Sequence, residues 1–256
     1  MFIPHNNAQL YTVEFGNGPR TLVAHGGWTG SWELWTEPFM QLSKTWRTVA
    51  YDHRGTGATI APVESISVEN MVADLFAVLD KLNIEKCVLA AESAGGMIAV
   101  NAVLQHPERF DGLVLVDALL HNENDASGAG FIQGLKTNYP ATIGGFVDAC
   151  VPTNEQNSVE IRSWGRKILA RATSEAAIRL LECTHGIDLR SKLSQIQQRT
   201  LILHGDADAL VPLSDSEYAV SQIPNSQLHV FKGAGHVPTI TRPIEVAQVI
   251  NQYFSS

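Results

Sequence analysis

The chain has only three cysteines, Cys87, Cys150 and Cys183, widely spaced and without a CxxC pair. An odd number with no paired spacing excludes a disulfide framework and a thiolate metal or redox site. Free thiols in a reducing compartment are therefore expected. Charge is also scarce: Asp, Glu, Lys and Arg make up 17% of 256 residues, with 18 basic against 26 acidic side chains and a formal net charge of −8. A protein that grips a phosphate backbone needs a basic footprint, so nucleic acid is excluded as a partner. No apolar run approaches the roughly 18 residues that span a bilayer, and the opening Met1-Phe2-Ile3-Pro4-His5-Asn6-Asn7 lacks the basic and apolar segments of a secretory leader. A non-exported, cytoplasmic protein without membrane association is expected. Internal repeats, low-complexity tracts and long linkers are missing as well.

What is present is apolar: 45% of the residues are hydrophobic, enough to fill a large interior. Short β-branched runs at 10–15, 21–24, 48–51, 87–91, 112–116, 200–203 and 228–231 read as strands, most of them of the buried kind. Helical periodicity falls between them. Ser67 caps a helix through 82, with Val68, Met71, Val72, Leu75, Phe76, Leu79 and Leu82 on one face; 94–105 and 244–254 read likewise. Such alternation predicts an α/β fold, a mostly parallel twisted sheet with helices on both faces. The rhythm breaks at 119–196, where no convincing strand occurs. Helical spacing at 158–172 and 174–183, punctuated earlier by Ser127-Gly128-Ala129-Gly130 and Gly144-Gly145, predicts a mainly helical cap inserted into a core formed by 1–118 and 197–256.

Chemistry concentrates where strands end. In Cys87-Val88-Leu89-Ala90-Ala91-Glu92-Ser93-Ala94-Gly95-Gly96 a buried strand runs into a helix through small residues that flank one serine, the setting of a nucleophile elbow. Positions two before and two after such a serine must be small, and Ala91 and Gly95 fill them; alone, Ser93 also fits a helix-capping serine. Two later segments add to it. The strand at 200–203 leads into His204-Gly205-Asp206-Ala207-Asp208, and that at 228–231 into Gly233-Ala234-Gly235-His236. Serine, aspartate and histidine thus follow three strands in the chain order of an α/β-hydrolase triad.

Here the chain resembles the α/β-hydrolase superfamily over nearly its whole length. His25-Gly26-Gly27-Trp28 resembles the oxyanion loop, Tyr51-Asp52-His53-Arg54-Gly55-Thr56-Gly57 the strand-and-turn signature, and Gly235-His236 with Arg242-Pro243 the histidine loop. The resemblance implies the α/β-hydrolase fold and a carboxylic-ester hydrolase of the esterase or lactonase kind. Ser93 would attack a carbonyl carbon, His236 would take and return the proton, and Asp208 would orient the imidazolium. The N–H groups of Ala94 and Gly27 would form the oxyanion hole. Aspartate replaces this serine in haloalkane dehalogenases and epoxide hydrolases, so their activities are disfavoured.

Other residues carry two readings each. Asp117 and Asp206 compete with Asp208 for the acid position or serve as turn and capping residues. His204, Asp206 and Asp208 could be read as metal ligands, but no zinc-spaced histidine pair supports them, and neither metal nor cofactor is expected. His25 and His204, each before a glycine, suggest hydrogen bonds that stiffen loops, His106 suits a helix end, and His121 and His185 suit the surface. Trp28 is either an apolar, substrate-binding wall beside the reacting carbonyl or a packing partner of Trp32 and Trp35. Arg162, Arg166, Lys167 and Arg171 form a stripe expected to be solvated and paired with Glu155 and Glu160. The expected partner is a small-molecule substrate, a neutral or weakly polar ester, lactone or thioester. A hydrolase-like ligand receptor with slow turnover, and carbon–carbon hydrolysis, acyl transfer or perhydrolysis on the same residues, are the alternatives.

Overall fold

A computed structural model describes residues 1–122 and 126–255. Eight strands form one sheet: β1 (Phe2–His5), β2 (Ala8–Phe15), β3 (Arg20–His25), β4 (Trp46–Tyr51), β5 (Cys87–Glu92), β6 (Phe110–Val116), β7 (Arg199–Gly205) and β8 (Ser226–Phe231). Their order is β1-β2-β4-β3-β5-β6-β7-β8. β1 pairs antiparallel with β2 and β2 antiparallel with β4, while every later pairing is parallel. Seven of these strands sit on the runs expected from sequence. β1 is the addition, a short edge strand whose Pro4 and alternating exposure leave little apolar signal.

Helices cover both faces because successive side chains of a strand point to opposite sides. Val23, Leu89, Leu113 and Leu115 belong to one core, which they share with α2 (Val68–Lys81) and α3 (Gly95–Gln105). Leu22, Ala24, Val88, Ala90 and Val114 belong to the other, against α1 (Thr36–Leu42) and α10 (Pro243–Ser255). Ser67 caps α2 as its sequence suggests, its hydroxyl accepting from the Asn70 N–H. α8 (Leu213–Gln222) links β7 to β8, and the single turn α9 (Pro238–Thr241) follows the histidine loop.

Between β6 and β7 lie α4 (Ala126–Thr137), α5 (Tyr139–Cys150), α6 (Ser158–Leu169) and α7 (Ser174–Glu182). The described part of 119–196 holds no strand beyond an isolated bridge between His121 and Asp188; residues 123–125 of that stretch lie outside the described residues. The glycines expected to punctuate it sit inside α4 and α5 instead. α5 starts on an Asn138 cap that accepts from the Ala141 N–H, with proline in its first turn, a start signal strong enough to carry the helix through Gly144-Gly145. Among the described residues no helix is long and apolar enough to cross a membrane.

One buried ion pair fixes the turn after β4. The Arg54 guanidinium meets Asp74 of α2 through two bonds, Nε–Oδ2 at 2.6 Å and Nη2–Oδ1 at 2.8 Å, with both side chains fully buried. It also donates to the carbonyls of His5 and Asn6 and to the Ser65 hydroxyl, so one cation ties the β1–β2 hairpin, α2 and the turn together. Removing one partner strands the other charge in the interior. Arg54→Met should cost about 3–5 kcal/mol of stability in urea unfolding, and Arg54→Met with Asp74→Leu distinctly less. Equal losses in the two proteins would contradict this account.

Candidate active site

Neighbouring strand ends build the site. β3 and β5 run parallel and adjacent, with His25 opposite Ala91, so the Gly26-Gly27 loop leaves the sheet beside the Ser93 turn. Ser93 adopts φ 52°, a left-handed conformation uncommon for a residue with a side chain. Surrounding bonds hold it there: its N–H donates to the Val116 carbonyl at 2.9 Å, and its carbonyl accepts from Gly96 and Leu119, each at 2.9 Å. Gly95 must be glycine because a Cβ there would lie 2.5 Å from the Gly26 oxygen. Ala91, where the family pattern has glycine, is fully buried in β5.

Ser93 Oγ lies 2.9 Å from His236 Nε2, and His236 Nδ1 lies 2.7 Å from Asp208 Oδ2. Since the carboxylate can only accept, Nδ1 carries the hydrogen and Nε2 is left to accept from the serine hydroxyl. Asp208 Oδ1 takes the N–H groups of Leu210 and Val211. Burial pushes the Asp208 carboxyl up, but the His236 bond and charge and those two N–H groups outweigh it and hold it below the usual range. Of its competitors, Asp206 is exposed and accepts from the Gly233 N–H. Asp117 is buried and accepts from the Gly205 N–H at 2.9 Å.

Gly27 approaches Ser93 closely enough that a Cβ on it would lie 3.1 Å from Ser93 Cβ. Its carbonyl accepts from His53 Nε2 at 3.0 Å, which stiffens the loop. That bond was expected of His25, whose two ring nitrogens have no partner among the described residues. His25 instead stacks on Tyr51 and meets His53 edge-on, and burial, then the His53 charge, hold it neutral. Ala94 is the N-cap of α3, so its N–H lies at the positive end of that helix. His204 does brace its loop, bonding the Ser216 hydroxyl and the Val211 carbonyl.

A cavity of about 70 Å³ opens on Ser93 and His236, walled by Trp28, Phe146, Val147, Ile161, Trp164 and Leu169. Of its two readings Trp28 takes the place on the cavity wall, and its ring contacts are not with Trp32 or Trp35. Its ring lies 5.2 Å from Phe131 and 5.0 Å from Phe146, and its Nε1–H donates to the Ala177 carbonyl, so residues from α4, α5 and α7 set the wall. Sequence reading missed these partners because helical spacing shows which face of α4 or α5 is apolar, not what it meets. His121, bonded to Asp215, and His185 stay outside the cavity lining.

The basic stripe also departs from expectation. Arg162 and Arg166 face Asp148 of α5, and Arg171 reaches Glu33, while Glu155 is buried and pairs with Arg242. Arg162 and Arg166 stand one turn apart on the side of α6 that meets α5, which brings them to Asp148 rather than to Glu155, ahead of α6, or Glu160, in its first turn. His204, Asp206 and Asp208 do not converge as metal ligands. Asp117, Asp208 and His236 do bring one ligand atom each within 4.8 Å of one another. A cation there would have to displace the hydrogen that joins His236 to Asp208. Burial drives the thiols of Cys87 and Cys150 far up and that of Cys183 to about 11, which leaves none a ready nucleophile.

A family model described as alpha/beta hydrolase fold matches residues 20–163. The chain belongs to the α/β-hydrolase fold family. A putative carbamate hydrolase, RutD, of Pseudomonas syringae pv. syringae (strain B728a) is 26% identical, over 97% of this chain and 98% of that protein. The pimeloyl-[acyl-carrier protein] methyl ester esterase of Nitrosomonas europaea is 26% identical over 92% and 96%. An esterase from Exiguobacterium antarcticum shares the fold at TM-score 0.91 and 23% identity, over 97% of this chain and 96% of that one.

Glu92, beside Ser93 and on the cavity lining, also escaped sequence reading. Its Oε1 accepts from the Thr239 hydroxyl at 2.9 Å. Burial raises it from the usual 4.5 to about 8 against the pull of Thr239 and Trp35, so it is neutral at pH 7. The stability this neutral group supplies is complete below pH 4.5 and is lost progressively up to about pH 8, as the unfolded chain ionises first. Glu92→Gln does not titrate. Its melting temperature relative to wild type should therefore climb between pH 4.5 and about 8 and level off above; a constant difference across that range would show a charged Glu92.

Proposed function

We propose that this α/β-hydrolase is a serine hydrolase of small carboxylic esters, lactones or thioesters, working through an acyl-enzyme at Ser93. The hydrogen-bonded line Ser93–His236–Asp208 carries the reading. His236 Nε2 takes the hydroxyl proton as Oγ attacks the carbonyl carbon, and Asp208 stabilises the imidazolium that forms. Negative charge then develops on the carbonyl oxygen. The Ala94 N–H, at the positive end of α3, and a second from Gly27 meet it, each donor worth about 2.7–4 kcal/mol of transition-state stabilisation. His236 returns the proton to the leaving alcohol, and water repeats the sequence on the acyl-enzyme. Esterase activity in the names of the Nitrosomonas and Exiguobacterium relatives agrees with this chemistry.

Residues 119–196 act in this reading as a cap that selects the acyl group, with Trp28 as its facing wall. A cavity of about 70 Å³ bounded by aromatic and aliphatic side chains favours a short uncharged acyl chain. Ile161 and Trp164 also line a wider groove outside, so they form the partition that limits acyl length.

Turnover of p-nitrophenyl esters from acetate to dodecanoate tests both points. Ser93→Ala should lower kcat by about three orders of magnitude or more, and undiminished activity in it would remove the serine mechanism. Acetate to butyrate should be the best substrates, and Trp164→Ala should move the optimum to longer chains. Negligible turnover of the whole series by the wild type would favour a ligand receptor.

A further inference from the structure

More carboxyl groups are buried behind His236 than the relay uses. Asp117, just past β6, is fully buried; its Oδ1 accepts from the Gly205 N–H, and its Oδ2 has no hydrogen-bond partner among the described residues. One oxygen of Asp117, one of Asp208 and a ring nitrogen of His236 lie within 4.8 Å of one another. The nearest imidazole besides His236 is His204, with Nδ1 3.5 Å from Asp117 and Nε2 3.8 Å from Asp208. Its Nε2 must donate to the Val211 carbonyl, which can only accept, so in the neutral ring Nδ1 has no hydrogen and accepts from Ser216. Burial keeps that ring neutral. Among the described residues, Glu92 at the end of β5 and Cys150 of α5 also act on the pair, and Asp215 of α8 acts on His204; none of these brings positive charge.

Two carboxylates so close in a dry interior cannot both be charged, and hydrogen bonds decide between them. Asp208 accepts from Leu210, Val211 and His236, whereas Asp117 accepts from Gly205 alone. We propose that Asp117 is a neutral acid that donates its O–H to Asp208, a positioning residue that keeps the Asp208 carboxylate turned toward His236 Nδ1. Burial first, and then the Asp208 charge, raise the Asp117 carboxyl well above its usual range, with the Gly205 N–H pulling the other way. The kinetic consequences rest on the serine hydrolase reading, while the location of the proton does not.

Asp117 has φ 43°, a conformation that Asn and Gly also tolerate, so two variants spare the backbone. Asp117→Asn retains a donor for Asp208 and an acceptor for Gly205, and Asp117→Gly removes both. With p-nitrophenyl acetate the Asn variant should keep kcat/KM within about threefold and the same acid-limb midpoint. The Gly variant should lose about tenfold or more in kcat with KM within about twofold. Its acid limb should move to higher pH, because an Asp208 charge no longer shared with an O–H donor holds the His236 proton more tightly. Infrared difference spectra of wild type against the Asn variant should contain the carbonyl stretch of a neutral carboxylic acid. Absence of that band, with an acid limb displaced to lower pH in the Asn variant, would mean a charged Asp117 and overturn the proposal. A Gly variant with wild-type kcat and pH profile would overturn it too, leaving Asp117 only a backbone role. Undiminished turnover in Ser93→Ala would remove the hydrolase reading, and the infrared band would still decide the proton.

Discussion

Three stretches of backbone meet almost at contact where β3 and β5 end, and the site depends on that approach. The pairing of His25 with Ala91 brings the Gly26-Gly27 loop alongside the Ser93 turn, and Gly95 then lets α3 start where a Cβ would lie only 2.5 Å from the Gly26 oxygen. A slip of one residue in this register would turn Ser93 away and bury the wrong face of β5. The left-handed backbone of Ser93 is thus a consequence of sheet pairing, upheld by bonds from the neighbouring strand and by the first turn of α3.

Electrostatics inside the fold sort carboxyl groups by their hydrogen bonds. Asp208, with three N–H donors, is held anionic, while Glu92, facing a threonine hydroxyl in an apolar setting, retains its proton. A net charge of −8 therefore says little about the centre, where burial sets each group's state. Arg54 with Asp74 shows the other solution, a buried ion pair whose guanidinium also bonds the His5 and Asn6 carbonyls and the Ser65 hydroxyl.

Much of the fold was legible because buried parallel strands write themselves as short β-branched runs, and the loops after β5, β7 and β8 could be read as carriers of Ser93, Asp208 and His236. β1 was illegible since an edge strand with a proline and exposed alternate residues has almost no pattern. Glycines hid α4 and α5, although the Asn138 cap marked where α5 begins. Side-chain partners were harder still. Trp28 meets Phe131 and Phe146, and Arg171 meets Glu33, across chain separations that no local periodicity encodes. Glu92 was passed over because its meaning comes from burial and from Thr239, on a turn far along the sequence.

The backbone N–H of His236 donates to the carbonyl of Cys150, the last residue of α5, and the same helix carries Phe146 and Val147 into the cavity wall. Wall and imidazole are in this way one mechanical piece. Any guest bulky enough to push α5 outward also tugs the loop that aims Nε2 at Ser93, so fit and reactivity vary together. In the serine hydrolase reading, an ill-fitting molecule would meet a detuned nucleophile, and selectivity would be exercised in the chemical step as well as at the door.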